Sequence, residues 1–343
     1  MDFNKLGAGC LPDPIDIRDY IYRPLGVGAF AVDWVKGYDI ESIVGKIKPK
    51  NQFSSSACVG QATSYYVSVC ERLETGKLDE ISAKAIYSQI TLGKGKGAYL
   101  RDGMKLIKEW GSVFENIVKS YRDNGTTDED FMIDKSWKTE EIDKLAKVLQ
   151  AKDYKLITGI GIDIFANAIK DGHGALMGVM GTNNGTWTSE FPQPPTLETP
   201  QNALWGHALY AGKFKMINGK KYIGVINSWG NVGKDGWQWL GEEWFADNGR
   251  WIFNPWTLID KKNINDNNMR LVKSSNSTNT TVFLIDALGN RRVFFNEKHF
   301  ASVAPALGLA KQGTPTDWSN VELLTEEEIN KFPLANPLYE VNG

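Results

Sequence analysis

A polar loop, Gln52-Phe-Ser-Ser-Ser-Ala-Cys58, runs straight into a segment whose apolar positions recur at helical spacing: Val59, Ala62, Tyr66, Val69 and Leu73. The spacing predicts a helix from about Cys58 to Glu74, with Ser55 and Ser56 as candidate N-caps and Gly76 as a candidate C-terminal cap. A cysteine on the first turn of such a helix is placed for chemistry as well as for packing. The orphan N–H groups and the helix macrodipole stabilise a thiolate there. Gln52, six residues upstream, can offer a side-chain amide to a developing oxyanion. Cys58 still needs a base, and with only three histidines in 343 residues the search is short.

Composition narrows the partners. Thirty-nine basic and 41 acidic residues leave a net charge of −2, so no polycationic surface is available for nucleic acid or an anionic membrane. No stretch approaches the ~20 apolar residues of a membrane span, and the N-terminus lacks the apolar core of a signal peptide. Three cysteines, Cys10, Cys58 and Cys70, are too few and too odd in number for a disulfide-stapled secreted fold. The expectation is a chain of reducing surroundings, cytoplasmic or virion-associated. Three Cys and three His at these spacings do not make a zinc site, and no metal is expected.

Helical patterns precede strand patterns along the chain, which is an α+β order. Residues 9–50 are punctuated by Pro, Asp and Gly and read as extended chain laid over a surface. Further helices are expected at 81–92, 100–110, 138–151 and 163–171. Strands are expected at 174–181, 208–214, 222–226, 237–240 and 250–253, with a long loop over 182–203. Residues 261–280 have a linker composition. A hairpin near 281–295 and a helix from about 296 to 309 then make a small C-terminal module, 281–343, expected to dock on another protein. The expected organisation is an N-terminal segment 1–50, a catalytic domain 51–260, a linker and that module.

His207 opens the first strand of a hairpin and Asn227 closes the second, with Asn218-Gly219 between them. A two-residue turn at Asn218-Gly219 would set Asn227 across from Tyr210, ~10 Å along from His207 and on the wrong face. A five-residue loop, Lys215 to Gly219, pairs Phe214 with Lys220 and His207 with Asn227, and is the loop this chemistry calls for. Cys58 is then the nucleophile and His207 its proton partner, as a thiolate–imidazolium pair. Asn227 accepts from the other ring N–H and fixes the tautomer. Trp229 shields that bond, and Gln52 with the Cys58 N–H forms an oxyanion hole.

Gln52 with Cys58, Gly206-His207-Ala208 and Asn227-Ser228-Trp229-Gly230 resemble the active-site blocks of the papain-like cysteine peptidases, in order, spacing and context. Gly233-Lys-Asp-Gly236-Trp237 and the 164–180 stretch resemble further segments of the family, so the likeness covers roughly residues 10–260. The resemblance implies a two-lobe α+β fold with a helical left lobe, a β-barrel-like right lobe and a cleft between them. It implies cleavage of a protein or peptide substrate without a cofactor. The chain departs from the family at Ser55, where a disulfide cysteine is usual, at Val59, where tryptophan is usual, and at Val232, where a second tryptophan is replaced and one residue is missing. These changes alter the cleft walls without removing a catalytic atom, and they fit a microbial, viral or phage lineage. The residues before Cys58 do not resemble the long helical prodomain of the plant and lysosomal enzymes.

Taken singly, Cys58 would be core filling, as Cys70 is expected to be, and Cys10 a free surface or loop thiol. His173 reads as a turn residue at a strand entry, and His299 carries no assignment. Two rival functions use the same residues. One is a papain-fold structural or binding protein, virion-associated, with the site little used. The other is an amidase or transpeptidase of cell-wall peptide.

Overall fold

The structure is a computed structural model that describes residues 9–22, 32–76, 79–261, 270–276, 281–285, 291–293 and 321–331. The chain forms two compact units, Met1–Glu71 with Leu78–Lys261, and Arg72–Lys77 with Lys262–Gly343.

The first unit begins with a short strand β1 (Cys10–Leu11), then β2 (Tyr38–Asp39) and the single turn α1 (Glu41–Val44). The helix expected behind the polar loop is α2 (Cys58–Thr75), ending at Gly76 with φ +70°, whose N–H donates to Arg72 O. Ser55 does not cap it; its hydroxyl donates to Gln52 O at 2.7 Å. Every residue from Cys58 to Val69 is buried, so α2 is covered on all sides and not on one face alone. Helices α3 (Ala83–Ile90), α4 (Leu100–Glu109), α5 (Glu129–Ile133) and α6 (Glu140–Ala146), with strand β3 (Ala98–Tyr99), complete this helical part. The helix expected over 138–151 stops early: a 3₁₀ turn at Lys147–Leu149 leads into β4 (Ala151–Leu156).

The other half is antiparallel sheet. α7 (Ile162–Gly172) is followed by β5 (Ala175–Thr182), β6 (Leu204–Ile217), β7 (Lys220–Ile226), β8 (Trp237–Gly241) and β9 (Ile252–Lys261). The strand order is β4-β9-β5-β6-β7-β8, with β2 joining β6, an open path that no ladder closes among the described residues. Its core joins Phe165 and Ile169 of α7 to Met177, Leu209, Val225, Trp187, Trp229 and Trp244. His173 sits at φ +56° as the left-handed C-cap of α7, the turn position expected for it.

The hairpin overturns the expected five-residue loop. Ile217 pairs with Lys220 across a two-residue turn whose residues Asn218 and Gly219 both have positive φ, 48° and 78°. His207 therefore does not face Asn227 in the ladder; it pairs with Val179 of β5. What reconciles turn and chemistry is a register shift between Ala211 and Lys213, where Gly212 is the extra residue of a bulge. Above the bulge Tyr210 faces Ile226, so continuing the register sets Asn227 against Leu209. Leu209 and His207 lie on the same face of β6, because side chains alternate with period two. The bulge thus moves Asn227 from the wrong face to the right one, at a diagonal distance long side chains can span.

In the second unit, β10 (Arg270–Ser274) pairs antiparallel with β11 (Val282–Ile285) and parallel with β13 (Val321–Leu324), and β11 carries β12 (Arg291–Val293). A helix at Glu326–Asn330, started by a Thr325–Glu328 capping box, packs Ile329 on Val272 and Ile285. The helix expected at 296–309, and His299 with it, lies outside the described residues. No helix among the described residues is long and apolar enough to cross a membrane.

Candidate active site

Three separate segments converge on Cys58. The loop before α2 is tied to the loop after β7 by an antiparallel bridge, Asn51 to Trp229, with Gln52 N–H donating to Ser228 O at 2.8 Å and Gly230 N–H to Lys50 O at 2.9 Å. Buried Lys50 anchors that loop through Nζ, which donates to Ser64 Oγ at 2.7 Å and Ile81 O at 3.2 Å. Gln52 is wholly buried and its amide is oriented at both ends. Ser228 Oγ donates to its Oε1 at 2.5 Å, and its Nε2 donates to Ser55 O at 2.8 Å. The NH₂ end therefore faces the loop leading to Cys58.

His207 and Asn227 meet as the sequence requires, with Nε2 of the ring 2.9 Å from Asn227 Oδ1. Trp229 lies over the imidazole with ring centroids 4.2 Å apart and planes 24° from parallel. Trp187 and Trp205 pack edge-on against Trp229, so the hydrogen bond is enclosed by aromatic rings. Trp229 is 2% exposed. Trp229→Ala should cost about 3–5 kcal/mol of stability and lower the melting temperature by roughly 10 °C, measured by calorimetry.

The segment around β1 crosses the thiol. The backbone amides of Ala208 and Gly9 lie near enough to the Cys58 sulfur to favour its thiolate, as do those of Val59 and of Cys58 itself. Gly9 O accepts from Ala98 N–H at 2.8 Å, and β1 pairs parallel with β3. On the other wall Gly206 approaches so closely that a Cβ there would stand 2.0 Å from Cys10 O. Residues 9–11 thus form a strap between the helical wall at Ala98 and the sheet wall at Gly206, with Cys10 buried and not a surface thiol. Cys70 is half-buried, and neither Cys10 nor Cys58 is in a disulfide.

Burial decides the electrostatics of this closed arrangement. It pushes the Cys58 thiol up to about 11, outweighing the amide hydrogen bonds that favour the thiolate. It lowers His207 to about 4 despite the bond to Asn227. Burial thus favours the neutral form of each group in this closed arrangement. His207 Nδ1, the nitrogen turned away from Asn227, is buried without a hydrogen-bond partner. Among the described residues no cluster of His, Cys, Asp or Glu is placed to hold a metal ion.

This architecture has known counterparts. Xylellain, a cysteine protease from Xylella fastidiosa, superposes with TM-score 0.62 and 21% identity, over 75% of this chain and 97% of its own. Procathepsin L2 from the midgut of Tenebrio molitor larvae gives 0.57 and 17% identity, over 74% and 78%. Procathepsin B S9 from Trypanosoma congolense gives 0.55 and 13%, over 75% and 87%. The fold is papain-like. No protein-family model matches the sequence, and no curated protein matches it significantly. The papain-like fold explains why a helix start, a strand entry and a strand exit so distant in sequence share one cleft. Sequence reasoning laid residues 9–50 over a surface as extended chain without placing them at Cys58, and it missed Ser228, Trp187, Trp205 and Gln238. Ser228 lay within a recognised block, and Gln238 was signalled only as a polar residue in an otherwise apolar strand. The strap carried no signal beyond its Gly-Cys-Leu-Pro composition.

Proposed function

We propose that this protein is a cysteine peptidase held latent by its own N-terminal strap. The observation that carries the reading is the hydrogen bond of His207 Nε2 to Asn227 Oδ1 under Trp229, in the same cleft as a cysteine on the first turn of a buried helix. When the strap leaves, the thiol loses the nearby Gly9 amide and regains water, and Nδ1 of His207 becomes its proton acceptor. The thiolate attacks the scissile carbonyl. The developing oxyanion takes the Cys58 N–H and the Gln52 Nε2 amide. His207 then protonates the leaving amine, and water activated by the same ring hydrolyses the thioester. An epoxide probe should label Cys58 once the strap is displaced, read by peptide mass spectrometry. Absence of label on the open protein at neutral pH overturns the reading.

A second reading is favoured by the closed strap itself: a papain-fold structural or binding protein whose buried thiol is not used. It predicts that the opened protein reacts with the probe and yet turns over no peptide.

A further inference from the structure

Gln238 on β8 is completely buried and touches neither Cys58 nor His207, yet it closes a chain of hydrogen bonds that ends on the catalytic ring. Its Nε2 lies 2.8 Å from Trp187 O and 2.9 Å from Ser189 O. A backbone carbonyl only accepts, so the group facing two of them must be the NH₂ end. Oε1, which only accepts, is then the atom 2.8 Å from Asn227, and Asn227 must present Nδ2 to it. That leaves Asn227 Oδ1 toward His207, so Nε2 of the ring carries the hydrogen and Nδ1 is bare. Turning either amide over sets oxygen against oxygen where no water can intervene, leaving buried groups unsatisfied.

We infer that Gln238 is a positioning residue: the carbonyls of Trp187 and Ser189, read through Gln238 and Asn227, fix His207 as the Nε2–H tautomer with Nδ1 free to take the thiol proton. Asn227 alone cannot do this, since its amide offers the ring an oxygen in one orientation and an NH₂ in the other. The source of the polarity is the long loop between β5 and β6. That loop is itself pinned to the sheet: Trp239 N–H donates to Glu190 O at 2.7 Å, and Trp244 Nε1 to Pro192 O at 2.9 Å. A polar residue in the buried strand Trp237-Gln238-Trp239-Leu240 thereby acquires a reason. The inference deepens the peptidase reading, and only its kinetic consequence rests on that reading.

The test is ¹⁵N NMR of the full-length protein at neutral pH, with the His207 ring assigned by comparison with His207→Gln. The wild type should show only the Nε2–H tautomer. Gln238→Leu, with no polar end, should show a mixture in which Nδ1–H appears, and in a Gly9→Val background, where the strap is displaced, it should lower kcat about tenfold or more with little change in KM. Gln238→Glu should restore the wild-type tautomer. Burial keeps that acid neutral, with one O–H for a carbonyl and one oxygen for Asn227. An Nδ1–H tautomer in the wild type overturns the inference without any variant. So does a folded Gln238→Leu protein that keeps Nε2–H alone; Gln238→Met replaces it if leucine prevents folding. A Gly9→Val protein, its strap displaced, that shows the expected tautomer and cleaves no peptide removes the peptidase reading and leaves this one standing.

Discussion

Gly9→Val should make Cys58 react with iodoacetamide at pH 7 roughly 100-fold faster than in the parent chain. A Cβ at Gly9 would stand 2.3 Å from Ser56 O and 2.7 Å from Ser56 Cβ, so the strap cannot keep its path with any side chain there. Moving it takes the Gly9 amide away from the sulfur and breaks the Ala98 N–H bond to Gly9 O. It also admits water to a thiol that burial holds at about 11 against an ordinary 9.0. Below pH 9 each unit of that elevation means about tenfold less thiolate, which sets the expected factor. The sign follows directly: a raised thiol pKa leaves the closed protein unreactive at neutral pH, and its labelling should rise only as pH climbs toward 11. In the valine variant the same profile should move to lower pH. Labelling is followed by mass spectrometry over a pH series. Identical profiles for the two proteins would show that the strap does not control the thiol.

With the strap displaced, Cys58→Ala should reduce cleavage of an unfolded protein by roughly 10³-fold or more. The proposed partners of the thiol cannot replace it: His207 is held by Asn227, and the Gln52 amide is not nucleophilic. Gly9→Val and Gly9→Val with Cys58→Ala are the informative pair, because the parent is expected to be slow for a reason unrelated to its chemistry. Casein and peptidoglycan assayed side by side separate a general peptidase from a cell-wall enzyme. A reactive Cys58 with no turnover of either points to the structural or binding role.

The site was legible wherever chemistry demanded a residue type, and obscure wherever geometry depended on a single inserted residue. Gln52, Cys58, His207, Asn227 and Trp229 could be picked from the sequence because the proposed nucleophile, base, orienter and shield each call for a particular side chain. The hairpin loop was misread for an equally physical reason. Asn218-Gly219 gave the turn, but the one mark of a bulge, the isolated Gly212 inside the strand, went unused, so parity was restored by lengthening the wrong segment. The extended N-terminal segment was legible, but its place at the thiol was not, because that contact is made by backbone and backbone has no sequence code. Cys10 was misplaced with it. Gln238 went unnoticed because a lone glutamine in a strand acquires meaning only once its partners across the sheet are known. The strand Ala151–Leu156 was not expected because its charged, mixed sequence takes its strand identity from pairing with β9.

The bulge at Gly212 also divides the hairpin into two regions of unequal tolerance to length change. Beyond it, toward the exposed tip at Asn218-Gly219, residues can be gained or lost in pairs while the catalytic phase stays intact. Between His207 and Ala211 a single deletion would turn the imidazole to the opposite face of the sheet, away from Asn227. Lineages of this chain should therefore differ freely in the reach of the tip and hardly at all in the five residues leading to the bulge.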